Sequence, residues 1–235
     1  MNESHLSALE AYRQAQAWWA LRGYIDLPEI LDVQPDSPGA ARVYRDLERL
    51  ARWTGLYAML LKQLAPKVPA EGRILEVCCG SGAFSRVLAS HFPQATVTAL
   101  DANPQAYDPG NRHDAVRFAV GDARRLVYPD AHYDLCINLQ SLHHFDPDQL
   151  VDVVAEACRV ARGCFFFDLR RTWLGPWFVR LWRPLMSAEF VHDGVASHRR
   201  AYSLAELDFL LRRRAGLPVS LRRFTPFGLI VERWG

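Results

Sequence analysis

The chain of 235 residues lacks any hydrophobic run long enough to cross a bilayer. Its first residues, "MNESHLSALEAY", are polar and acidic rather than basic and then apolar, so no targeting segment is expected. A charge bias is missing as well. The formal net charge is +2, with both signs mixed along most of the chain, which leaves no general case for a nucleic acid or other polyanionic partner. Cysteine is present in an odd number, five, and Cys136, Cys158 and Cys164 lie in or beside apolar runs such as "LCINL" and "GCFFFDL", where a free thiol behaves as a small hydrophobe. Cys78 and Cys79 are adjacent but have no second cysteine pair or histidine pair at ligand spacing, which argues against zinc. Internal repeats and low-complexity segments are absent. The expectations are a reducing, cytoplasmic compartment, no metal, and no stable membrane insertion.

Half of the positions are hydrophobic, enough for one full-sized core. Apolar residues recur at helical spacing from Glu3 to about Leu21 and from about Ala40 to Leu64, with the proline- and aspartate-rich "DLPEILDVQPDSPG" between them. Beyond "PKVPAEG", short apolar runs ("ILEVC", "TVTALD", "VRFAV", "DLCINL", "CFFFDL") alternate with helical stretches. That rhythm predicts an α/β fold whose mostly parallel, Rossmann-like sheet is covered on both faces. A single domain is expected, with a helical cap over 1–70, a core over 71–170, an insertion or lid over 171–202, and a final helix and strands over 203–235.

Ligands of such sheets bind beyond the carboxyl ends of the strands, where glycine turns permit close backbone approach. "RILEVCCGSGAF" is a turn of that kind, a strand ending in Glu76 followed by Gly80 and Gly82. A dinucleotide loop usually keeps a third glycine, which is Ser85 here, and Glu76 would face the phosphates. A carboxylate there suits a ligand carrying positive charge, such as an amino acid moiety attached to a sulfonium.

At this point the sequence resembles the class I S-adenosylmethionine-dependent methyltransferases, whose first motif is an acid, one residue and then GxGxG. Cys78 takes the first glycine position, and "CCG" here is similar to quinone methyltransferases of the menaquinone type. The resemblance continues in order through "LDANP", "VGDARRL", "YDLCINLQSLHHF" and "RVARGCFFFDLRR", covering roughly Arg73 to Arg171. It implies a seven-stranded sheet with the last strand antiparallel and S-adenosylmethionine as cofactor. It further implies that Asp101, followed by Ala102, hydrogen-bonds the ribose, that Asp122 and Ala123 flank the adenine, and that Leu139 and Gln140 complete the site. Tyr12, Trp19, Arg52 and Tyr57 of the helical cap are candidates to close over it.

For the chemistry, His143 and His144 follow the fourth strand and titrate in the range useful for a base, while Asp168 at the tip of the fifth strand could orient one of them. Arg199, Arg200 and Tyr202 in "HDGVASHRRAY" are candidate acceptor contacts. In "RTWLGPWFVRLWRPLM", Trp173, Trp177, Phe178, Leu181 and Trp182 are expected to share most of one helical face, with Trp177 lining a lid over a flat or lipophilic acceptor. The reading is O-methylation of a small molecule by a monomer or homodimer, surface association with a membrane remaining compatible. The alternatives are quinone C-methylation, a nicotinamide-dependent oxidoreductase, and a noncatalytic cofactor-binding regulator.

Overall fold

The computed structural model describes residues 27–106 and 114–235. The expected helix over Glu3 to Leu21, with Tyr12 and Trp19, lies outside them. Seven strands, β1 (Arg73–Val77), β2 (Thr96–Asp101), β3 (Val116–Val120), β4 (Tyr133–Leu139), β5 (Ala161–Leu169), β6 (Ser220–Thr225) and β7 (Gly228–Arg233), form one sheet in the order β3-β2-β1-β4-β5-β7-β6. Strands β1 to β5 run parallel, and β7 is antiparallel to both neighbours, as expected of the last strand.

Strand periodicity sends alternate side chains to opposite faces, and the core divides accordingly. Leu75, Val77, Cys164 and Phe166 join one apolar cluster, while Ile74, Phe165 and Phe167 join the other. Apolar residues on both faces make the middle strands near-continuous hydrophobic runs. In register, Glu76 lies beside Ala99 of β2 and Ile137 of β4, which brings the carboxyl ends of β1, β2 and β4 to one edge. The order reverses between β1 and β4, and a crevice opens there.

Ahead of the sheet come α1 (Ile30–Val33), α2 (Pro38–Trp53) and α3 (Leu56–Leu64). The single helix expected from Ala40 to Leu64 is two, because Gly55 turns left-handed at φ +67° and ends the first run. Ser37 caps α2 by accepting from the Ala40 amide at 3.1 Å, with Pro38 in the first turn. The first turn of α4 (Ala83–His91) follows the glycine loop, and α5 (Pro147–Val160) is capped by Asp146. Between β5 and the last helical segment lie α6 (Gly175–Leu181) and α7 (Ala188–Arg200), where Val179, Met186 and Phe190 pack with Leu47 and Leu50 of α2. Ser203 and Glu206 form the expected capping box on α8 (Leu204–Leu207), which continues as a wider helix over Asp208–Arg214.

Candidate active site

Two cavities meet at the carboxyl edge of the sheet. The first, about 350 Å³, is lined by Glu76, Cys78, Gly80, Asp101, Ala102, Leu139, Gln140, Tyr44 and Tyr57, among others. Glu76 is 2% exposed and hydrogen-bonded by the Ser85 hydroxyl, and burial pushes its carboxyl up to about 8. Cys78 adopts φ +54°, the left-handed backbone that glycine would take there, and burial pushes its thiol up to about 12. Gly80 (φ +51°) has no room for a side chain, since a Cβ would lie 2.8 Å from the Tyr44 ring. Asn138 is buried and donates to the Val77 carbonyl at 2.9 Å and to Ser141, which ties the end of β1 to the loop after β4. A turn of minimal bulk facing two carboxylates and two tyrosines suits a nucleoside joined to a cationic amino acid.

The second cavity, about 570 Å³, is mainly apolar, with Val43, Leu50, Phe167, Leu169, Phe178, Trp182, Phe190 and Phe227 in its wall. Leu31, Leu47, Gln140 and His144 line both cavities. The polar groups of the second are Glu29, His143, His144, Asp193, Ser197 and His198 together with Thr54, Gln140 and Thr225. His143 is 5% exposed, its Nδ1 is 2.7 Å from Asp168 Oδ1, and its backbone amide donates to Asp168 Oδ2 at 3.2 Å. His144 Nδ1 is likewise 2.7 Å from Asp32 Oδ1. Burial would raise the Asp32 carboxyl, but the hydrogen bond from His144 and the Arg200 guanidinium hold it well below the usual range. Burial raises Glu29 to about 7 and lowers His198 to about 4, the latter with help from His143.

The family description "Methyltransferase domain" matches residues 74–163. A fatty-acid O-methyltransferase of Mycolicibacterium smegmatis is 34% identical over 116 residues, covering 47% of this chain and 42% of the relative. The demethylmenaquinone methyltransferase of Deinococcus radiodurans is 39% identical over 67 residues, covering 26% and 28%. The solved plantazolicin methyltransferase BpumL shares the fold at a TM-score of 0.63 with 15% identity, over 98% of this chain and 97% of that one. The chain carries a class I S-adenosylmethionine-dependent methyltransferase domain. It spans less than half the length of the first curated relatives it matches.

In this methyltransferase domain the expected cofactor residues Glu76, Cys78, Gly80, Asp101, Ala102, Leu139 and Gln140 gather around one cavity, and Gly82 starts α4 at φ +71° beside it. Asp122 and Ala123 do not line that cavity. Asp122 is held by the Arg124 guanidinium at 2.7 Å, and Ala123 is packed in the core. His143, His144 and Asp168 come together as expected. The residues expected to contact the acceptor do not line the second cavity. Trp177 is 65% exposed under Arg180, because one helical step separates it from the inward-facing Phe178. Arg200 is turned to Asp32, and the Tyr202 hydroxyl donates to the Phe145 carbonyl at 2.8 Å. Arg199 is partly buried on α7 outside both cavities. Of the cap residues, Tyr57 lines the first cavity against Phe84, while Arg52 does not line it but pairs with Glu48, which does.

Sequence reasoning missed Tyr44, Glu29 and Asp32. The last two sit in "DLPEILDVQPDSPG", taken only as a separator. Their spacing of three was the available signal, since one helical turn puts both on the same side. The helical turn α1 carries them to the histidines.

Proposed function

We propose that the protein methylates an oxygen atom of a small lipophilic acceptor. The observation that carries this reading is the junction of the two cavities, where a nucleoside-sized cavity, the more polar of the two, and an apolar one share Gln140 and His144. When bound, S-adenosylmethionine supplies a methyl group already activated for displacement. Glu76 would receive its amino group, Asp101 its ribose hydroxyls, and Gly80 with Tyr44 and Tyr57 the adjoining surface.

The chain's remaining task is to place and deprotonate the acceptor. With the Asp168 carboxylate accepting from Nδ1, the His143 ring keeps its Nε2 lone pair available to take a hydroxyl proton. Phe178, Trp182 and Phe190 exclude water and hold the apolar body of the acceptor. Names of relatives support the substrate class, among them the fatty-acid O-methyltransferase and the 27-O-demethylrifamycin SV methyltransferase of Amycolatopsis mediterranei. Quinone C-methylation stays the second reading because of the demethylmenaquinone relative. A labelled-methyl screen over fatty acids, lipophilic phenols and prenylated quinols tests the proposal. O-methyl products support it, ring-methylated quinols favour the second reading, and no transfer to any acceptor counts against both.

A further inference from the structure

Three electron-pair donors converge where the cavities meet. His143 Nε2 lies 3.6 Å from Glu29 Oε1, and His144 Nε2 lies 3.8 Å from Glu29 Oε2. Each ring has its other nitrogen, Nδ1, 2.7 Å from a carboxylate, Asp168 for His143 and Asp32 for His144. Because ionised carboxylates only accept, both Nδ1 atoms carry protons, and in the neutral rings both Nε2 atoms then present lone pairs. Glu29 is 2% exposed, and its Oε1 has no hydrogen-bond partner. Separations of 3.6 and 3.8 Å are too long for a proton to bridge. Two ligands of one metal ion, bound at about 2.1 Å and at the tetrahedral angle, stand roughly 3.4 Å apart.

The geometry points to a divalent transition-metal site formed by His143 Nε2, His144 Nε2 and the Glu29 carboxylate. Two imidazoles and one carboxylate suit Zn²⁺ and its first-row neighbours rather than Mg²⁺ or Ca²⁺. Asp168 and Asp32 hold the two rings as carboxylates hold metal-bound histidines, fixing tautomer and orientation. Among the described residues, three carboxylates, Glu29, Asp32 and Asp168, outweigh the Arg200 guanidinium, which lies 3.7 Å from Glu29 and is paired with Asp32. All three ligand residues line the 570 Å³ cavity, so a further coordination position would open toward the acceptor. There the ion would hold and acidify an acceptor oxygen whose proton leaves to solvent, so that in the metal-loaded protein the ion takes over the deprotonation assigned above to the His143 lone pair, which becomes a ligand. This use rests on the reading of that cavity as the acceptor site; the metal site itself does not.

The test titrates chelator-stripped full-length protein with Zn²⁺ by calorimetry and with Co²⁺ by visible absorption. One equivalent should bind, without the thiolate-to-cobalt charge-transfer band that a cysteine site would give. Glu29→Gln and His143→Ala should each weaken binding at least 30-fold while S-adenosylmethionine affinity, which confirms folding, stays within about threefold. The proposal is overturned by absence of stoichiometric binding, by a thiolate band, or by unchanged affinity in Glu29→Gln. Metal binding without methyl transfer to any acceptor would remove the functional reading alone, and transfer without metal binding would remove this inference alone.

Discussion

The backbone amide of Gly80 donates to Asp101 Oδ2 at 2.8 Å, which joins the glycine turn after β1 to the carboxylate ending β2. Asp101 Oδ1 meanwhile accepts from the Asn103 amide at 2.9 Å. Each oxygen keeps a lone pair for a ligand hydroxyl, so one side chain shapes the loop and faces the cavity together. Asp101→Ala should therefore weaken S-adenosylmethionine binding by about 1 to 3 kcal/mol, through lost ribose contacts and a loosened loop. Calorimetry on the variant checks this, and unchanged affinity would place the ribose elsewhere.

Glu76 gives the cofactor site a pH dependence. Its carboxyl is pushed up to about 8 in the free protein, so below that pH it is protonated, whereas the contact proposed with the cofactor's amino group needs the carboxylate. Binding then releases a proton, and affinity should fall by up to about tenfold per unit as pH drops from 8 toward 6. The same raised value means that the free protein loses stability as pH rises from about 4.5 through 8. Glu76→Gln should flatten both slopes, as measured by calorimetry in buffers of different ionisation enthalpy and by thermal melts.

His143→Ala should lower turnover by about a hundredfold or more while cofactor affinity stays nearly intact. The residue lines the 570 Å³ cavity and not the 350 Å³ cavity proposed to hold the cofactor, which separates the two effects. Single-turnover methyl transfer with normal cofactor binding is the check, and an unchanged rate would mean that placement alone drives the reaction.

Trp182 and Trp177, on the same segment, should behave differently. Trp182 lines the apolar cavity beside Phe178, so Trp182→Ala should raise the apparent Michaelis constant for a lipophilic acceptor by about tenfold. Trp177 is exposed, and Trp177→Ala should leave that constant within about twofold. Equal effects from the two would show that the cavity is not where the acceptor sits.

The cofactor half of the site was legible because its residues fall at strand ends. Strand periodicity located β1, β2 and β4 within a residue or two, and a chain reversal at each end leaves Glu76, Asp101 and Gln140 on one edge whatever the rest of the chain does. The acceptor half was less legible because it depends on how helices dock. The face that α6 turns inward is set by α2 and α7, so Phe178 and Trp182 could not be separated from Trp177 by spacing alone. Glu29 and Asp32 were hidden for a related reason. Glu29 caps, and Asp32 lies within, a four-residue helix too short to leave hydrophobic periodicity, so their spacing of three was the one mark they left, and tertiary packing brings them to His143 and His144.

In the proposed reaction, a cofactor bound at β1 and β2 passes its methyl group into the adjoining apolar cavity. The most direct measurement incubates the protein with methyl-labelled S-adenosylmethionine and a panel of lipophilic hydroxyl and carboxyl compounds, alongside His143→Ala. Label is expected in an O-methyl product, formed by the wild type and reduced about a hundredfold in the variant. Tight cofactor binding with no label in any acceptor, or equal transfer by the variant, would contradict it.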